Sequence, residues 1–262
     1  MTYNTLKVDK KNGILMIKIN RPQVLNALDS EAFDELEKCF DFAKNDLNTK
    51  VVVLTGEGKV FSSGGDMSLL KLISESTPNE IRSIVYRVQR QMGKMVEIEK
   101  PVIVAINGAA IGVGLGVALL GDIRIAAENA VLATEFVKVG IIPETGVTYT
   151  LARIIGYSKA LELVLTARRI SGKEAAEIGL VNKAVPLEEL EKTTMKLASE
   201  LSSLPAISLG LTKRAMRMGL MGTLEAAFEN EATFNSICYA TEDHKEAVKA
   251  FKEKRAPKFM GK

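Results

Sequence analysis

The stretch Lys100-Pro-Val-Ile-Val-Ala-Ile-Asn-Gly-Ala-Ala-Ile-Gly-Val-Gly-Leu-Gly116, followed by Ile141-Ile-Pro-Glu-Thr-Gly146, decides how this chain is read. Val102 to Ile106 has the length and β-branched content of a buried strand, and Asn107-Gly108 breaks it. Val113 to Leu120 continues as an apolar helix. A helix that opens among the glycines Gly112, Gly114 and Gly116 begins with unpaired backbone N–H groups. Such groups stabilise negative charge on an oxygen lying at the helix start, so the stretch reads as an oxyanion site. Glu144 is the carboxylate set beside it.

Working outward, the strand and helix signals alternate. Ile14 to Ile19 reads as a strand after the Asn12-Gly13 turn, and Arg21-Pro22 ends it. Asp29 or Ser30 can cap a first helix on which Phe33, Leu36, Phe40 and Ala43 recur at helical spacing. Lys50 to Thr55 reads as a buried strand. Thr77-Pro78-Asn79-Glu80 forms a capping box, and Ile81, Ile84, Val85, Val88, Met92 and Met95 make one apolar stripe behind it. Ile123 to Ala127 and Ala130 to Ala133 read as short strands, and Ser171 caps a helix that Gly179 closes. This alternation predicts an α/β fold with parallel strands over residues 1–195. From about residue 196 to 262 only helical spacing remains, interrupted near Leu204-Pro205 and Met221-Gly222, which predicts a helical C-terminal region.

Composition excludes several classes. With 262 residues, 47% of them hydrophobic, the chain can bury a sizeable core, and a formal charge of +3 from 35 basic and 32 acidic residues is too balanced for phosphate-driven nucleic-acid binding. Cys39 and Cys238 fit no Cys-x-x-Cys spacing, and His244 is the sole histidine, so neither a metal centre nor a Ser-His-Asp relay is expected. Residues 101–121 lack charge and approach the length of a membrane span, but Asn107 and five glycines argue for a buried strand-turn-helix. The first residues carry no apolar core of signal-peptide length, so a cytoplasmic location is expected. Gly112-Val-Gly-Leu-Gly116 also fails as a dinucleotide motif, because the third glycine would fall at Val117. No P-loop and no G-x-S-x-G occurs.

A second glycine loop, Phe61-Ser-Ser-Gly-Gly-Asp66, follows the strand ending at Thr55. Together with Arg21-Pro-Gln-Val-Leu-Asn-Ala-Leu28, Lys100 to Gly108, Gly112-Val-Gly114, Gly121-Asp122 and Ala250-Phe-Lys-Glu-Lys-Arg255, it makes the chain resemble the crotonase superfamily of enoyl-CoA hydratases and isomerases. The resemblance implies a spiral of ββα units with a C-terminal helical region that assembles trimers or dimers of trimers. It implies an acyl-CoA thioester as substrate, with no other cofactor and no metal. The N–H groups of Gly65 and Val113 would grip the thioester oxygen. Val24, Ala27, Ser63, Gly64, Asp66, Met67, Ile111 and Gly112 would contact the substrate, with Phe251 and Lys254 near the CoA adenine and phosphate.

The chain departs from the hydratase pattern at both of its glutamate positions, where alignment places Gly116 and Phe136. Glycine and phenylalanine cannot activate water. Glu144 instead matches the position where some enoyl-CoA isomerases, including the bacterial phenylacetate-pathway enzyme, carry a lone acid. One carboxylate suffices for a 1,3-proton shift, and a pocket made apolar by Phe136, Ile111 and Leu115 would raise its pKa. The expectation is therefore a Δ3-Δ2-enoyl-CoA isomerase with Glu144 as base and Glu135 in reserve. A hydratase or lyase, and an acyl-CoA-binding subunit without activity, stay open. So does Glu144 as a solvated turn residue.

Overall fold

The computed structural model describes residues 3–262. The chain opens with an antiparallel hairpin, β1 (Leu6–Lys11) and β2 (Ile14–Ile19). Its turn is Asn12-Gly13, both with positive φ, the backbone a two-residue hairpin requires. A 3₁₀ turn at Pro22–Val24 leads to α1 (Ser30–Asn45), whose N-cap Asp29 accepts from the Ala32 N–H at 2.8 Å. That helix buries Phe33, Leu36, Phe40 and Ala43, the stripe expected from spacing.

Strand pairs then repeat: β3 (Val51–Gly56) with β4 (Val60–Ser62), β5 (Val102–Ile106) with β6 (Ala109–Ile111), and β7 (Ile123–Ala127) with β8 (Val131–Ala133). Helices α2 (Met67–Ser74) and α3 (Pro78–Glu97) follow the first pair. The second pair is followed by α4 (Val113–Leu119), the third by α5 (Val147–Ile155) and α6 (Tyr157–Thr166). In each pair the first strand joins a six-stranded sheet and the second a four-stranded one, so each ββα unit adds one step to a spiral. After α6 come β9 (Ile170–Ser171), α7 (Gly172–Glu177) and β10 (Lys183–Val185). The sheet orders are β1-β2-β3-β5-β7-β10 and β4-β6-β8-β9, with β2, β3, β5, β7 and β10 parallel.

Asn107-Gly108 is thus more than a strand break: it is a corner between sheets. A Cβ on Gly108 would lie 2.0 Å from the Lys59 carbonyl oxygen, so only glycine lets the chain cross there. The Asn107 side chain pins the neighbouring corner, accepting from the Gly56 N–H and donating to the carbonyls of Gly56 and Gly58 at 3.0 and 2.9 Å. The strands β4, β6, β9 and β10 are too short for periodicity to reveal, and β1 has only Leu6 fully buried. None of these five was expected from sequence.

The expected division at 195/196 falls inside α8 (Leu187–Ser202), which packs against β2, β3, β5 and β7 of the large sheet. The helical break comes at 203–205, ahead of α9 (Ala206–Gly219), α10 (Leu224–Tyr239) and α11 (Glu242–Glu253). Asp122 fastens α9 to the sheets. Its carboxylate takes Lys213 Nζ at 2.5 Å, Arg217 Nη2 at 2.9 Å and the Val102 N–H at 2.8 Å. No helix of the described residues is long and apolar enough to cross a membrane.

Candidate active site

The two glycine loops meet because β4 and β6 pair in parallel, with Ser62 opposite Ala110. Leu28 bridges Gly65, its N–H donating to the Gly64 carbonyl at 2.8 Å and its own carbonyl accepting from the Asp66 N–H at 2.9 Å. That pattern leaves the Gly65 N–H without a protein acceptor among the described residues. Gly112, at φ 54 and ψ −121, turns the chain into α4, so the Val113 N–H opens the helix and is likewise unpaired. A Cβ on Gly64 would lie 3.0 Å from the Ile111 carbonyl and 3.8 Å from the Val113 nitrogen, which places the loops side by side. A Cβ on Gly114 would meet the Ser62 carbonyl at 2.6 Å, so glycine there sets the closeness of the approach.

Residues 21–28 hold the Phe61–Asp66 loop in place. Leu25 and Asn26 both adopt left-handed backbone. The fully buried Asn26 side chain accepts from the Arg21 N–H and donates to the carbonyls of Glu57 and Val60, at 2.9, 3.0 and 2.7 Å. The Arg21 guanidinium reaches Asp66 at 2.8 Å, Asp29 at 2.7 Å and the Ala27 carbonyl. Asp66 also caps α2 through the Ser68 N–H, and the Ser68 and Arg21 partners hold its carboxyl below the usual range.

Both loops open on a cavity of about 240 Å³. Ser63, Gly64, Gly65, Ile111, Gly112, Val113, Glu135, Phe136 and Glu144 all line it. Val24, Ala27, Asp66, Met67, Phe251 and Lys254 line no part of it. Met67 is 76% exposed at the start of α2 and Phe251 87% exposed on α11, so any contact they make with a ligand lies outside the cavity. Leu115, expected in the pocket, is buried within α4 and absent from its walls. The apolar wall comes instead from α2 and α3: Leu69, Leu70, Ile73, Ile84, Val85 and Val88. Part of that wall was visible as the apolar stripe of α3, but a stripe does not say whether it faces core or cavity.

Glu144 sits half-buried in the turn between Pro143 and Gly146. Burial pushes its carboxyl above the ordinary glutamate range, and no opposite charge or hydrogen-bond donor among the described residues offsets it. Next to it Thr145 takes a left-handed backbone, φ 54, and a Cβ on Gly116 would lie 2.8 Å from the Thr145 Cβ. The glycine at 116 is therefore filled by the Glu144 turn, which leaves no room for a longer residue there. Phe136 is buried, and its ring lies 3.9 Å from where a Gly112 Cβ would project.

Glu135 differs from Glu144 in every electrostatic respect. Arg169 binds it through two contacts, Nε to Oε1 at 2.9 Å and Nη2 to Oε2 at 3.2 Å, and Lys138 Nζ adds a third at 2.8 Å. Arg169 and Lys138 lower its pKa to about 2. Sequence reading missed both cations: Lys138 pairs locally, three residues along the chain, whereas only the β8–β9 pairing, with Leu132 opposite Ile170, brings Arg169 alongside Glu135. Among the described residues no cluster of three or more His, Cys, Asp or Glu is placed to hold a metal.

The enoyl-CoA hydratase/isomerase family model matches residues 9–262. The chain belongs to that family. Its crotonase fold is shared with the enoyl-CoA hydratase of Bacillus anthracis, at TM-score 0.94 and 34% identity over 99% of this chain and 100% of that one. Among curated relatives, the short-chain-enoyl-CoA hydratase of Clostridium acetobutylicum is 36% identical over 97% of both chains. The 1,2-epoxyphenylacetyl-CoA isomerase of Escherichia coli is 32% identical over 96% of this chain and 97% of its own. The family implies an acyl-CoA substrate and an enzyme of the hydratase/isomerase group.

Proposed function

We propose that this family member is a Δ3-Δ2-enoyl-CoA isomerase. The observation that carries the reading is the contrast between the two cavity carboxylates: Glu144 has no partner among the described residues and a raised pKa, whereas Glu135 is bound by two cations. Glu144 takes a proton from C2 of a 3-enoyl thioester, and the electron pair moves into the dienolate. The Gly65 and Val113 N–H groups hold the oxygen that becomes negative. The same carboxyl returns the proton at C4, leaving the double bond between C2 and C3. The chain needs no cofactor beyond the CoA carried by the substrate. Ala27, Ser63 and Met67 line the pantetheine path, and Phe251 and Lys254 meet the adenine end. Val24, Asp66 and the cytoplasm as location complete the reading.

Relatives named as hydratases support a second reading, hydration of a 2-enoyl-CoA. That reaction needs a base for water as well as a proton for C2. Incubating a 3-enoyl-CoA and, separately, a 2-enoyl-CoA with the enzyme in deuterated water separates the two, since a hydratase leaves the first unchanged and adds water to the second. The expected result is a 2-enoyl-CoA formed by the wild type, with Glu144→Gln lowering kcat by at least about a hundredfold. An unchanged 3-enoyl-CoA beside hydration of the 2-enoyl-CoA, or isomerisation indifferent to Glu144, would refute the isomerase assignment.

A further inference from the structure

The cavity holds two ionisable side chains, Glu135 and Glu144, and treats them oppositely. Glu135 Oε1 and Oε2 are taken by Arg169, and Oε1 also by Lys138, so both oxygens of this carboxylate are occupied. The side chain of Glu135 is 19% exposed, while those of Arg169 and Lys138 reach solvent at 64% and 51%. The anion is thus drawn to the cavity rim by cations that stand outside it. Arg168, one residue away, cannot substitute, because Glu162 and Glu174 engage its guanidinium. A planar guanidinium meeting both carboxylate oxygens fixes direction as well as charge, which Lys138 alone does not.

This arrangement has a chemical consequence within the proton-shift reading, on which it rests. The reaction creates negative charge on the substrate oxygen beside a base that starts out ionised. A second uncompensated carboxylate in the same apolar cavity would raise the pKa of the first and oppose the enolate. It would also offer a second base. We propose that Arg169 is a positioning residue that ties Glu135 to the rim, cancels its charge and leaves Glu144 as the single carboxylate free to exchange protons with substrate. Arg169 touches no reacting atom; it acts through Glu135.

The test follows the Glu144 titration midpoint by ¹³C NMR on protein labelled at the glutamate carboxyls, the resonance assigned by its loss in Glu144→Gln. Arg169→Gln is expected to raise that midpoint by about half a unit or more. Arg169→Lys, which keeps the charge but not the two-oxygen fork, should give a smaller rise than Arg169→Gln, and Glu135→Gln/Arg169→Gln should return to the wild-type midpoint. An unmoved midpoint in Arg169→Gln overturns the proposal, as does a rise that persists in the double variant. Arg169 is solvent-exposed, so loss of fold is not expected, and matched circular dichroism spectra check it. The midpoint needs no turnover. Turnover of a 3-enoyl-CoA by the wild type is measured alongside, and its absence would remove the isomerase reading while leaving the Arg169 comparison intact.

Discussion

At the scale of single residues, the chemistry of this protein depends on what each carboxylate touches. Glu144 has its pKa raised by burial, so the folded state holds its proton more tightly than the unfolded chain does. For an acid of that kind stability falls as pH rises through the interval between unfolded and folded pKa, because the native state binds more protons there. Above that interval burial of the ionised form is a standing cost. Glu144→Gln removes the cost, so its melting temperature should exceed that of wild type at pH 7, with the gap closing by about pH 4, near the unfolded glutamate pKa. Thermal scans at the two pH values check this. For activity the proposed role of Glu144 reverses the sign: a base works ionised, so the rate should fall as pH drops through the raised pKa. A profile of kcat against pH should show its acid limb above the ordinary glutamate value of 4.5.

At the scale of elements, the Gly121-Asp122 motif acts as a fastener. Asp122 joins the start of β5 to α9 through Lys213 and Arg217, and Lys213 donates to the Lys100 carbonyl at 2.9 Å. Burial depresses the Lys213 pKa to about 8 even with Asp122 beside it. Removing the carboxylate strands a buried ammonium. Asp122→Ala should therefore lower stability by about 3 kcal/mol, the scale for breaking a buried pair, and a urea titration read by circular dichroism measures it. Lys213→Met in the same background should recover part of the loss, since the stranded charge goes with it. The short strands β4 and β6 show the same dependence on neighbours. Three residues each, they exist because Gly108 allows the chain to cross the Lys59 carbonyl and because Asn107 holds the Gly56 corner.

At the scale of the whole molecule, α9, α10 and the loop between them present Met216, Leu220, Met221, Leu224 and Phe228 to solvent in the single chain. These two helices pack on one another, and α10 has no buried residue. We propose that this region mediates self-assembly into trimers or dimers of trimers. Sedimentation velocity should give a mass near three or six times 28.5 kDa, and Leu224→Glu/Phe228→Glu should shift it toward a single chain. A monomer at micromolar concentration would refute the assembly.

Sequence by itself determined the long, strongly patterned parts: the β2, β3, β5 and β7 core, α1 and α3 with their caps, and the helical C-terminus. Burial on both faces or along one stripe is written in local periodicity, so these elements were legible before any contact was known. Glu144, Phe136, Gly65 and Val113 were also legible as candidates, and all four line one cavity. The remainder follows from contacts between segments distant in the chain. The split of the β3/β4 and β5/β6 pairs between two sheets depends on backbone approaches at Gly56 and Gly108 that no periodicity records. The α2–α3 wall replaced Leu115 because which face of a helix meets empty space depends on its neighbours. Glu135, the reserve candidate, is paired with Arg169, 34 residues away in sequence, since charge pairing acts through space and not along the chain.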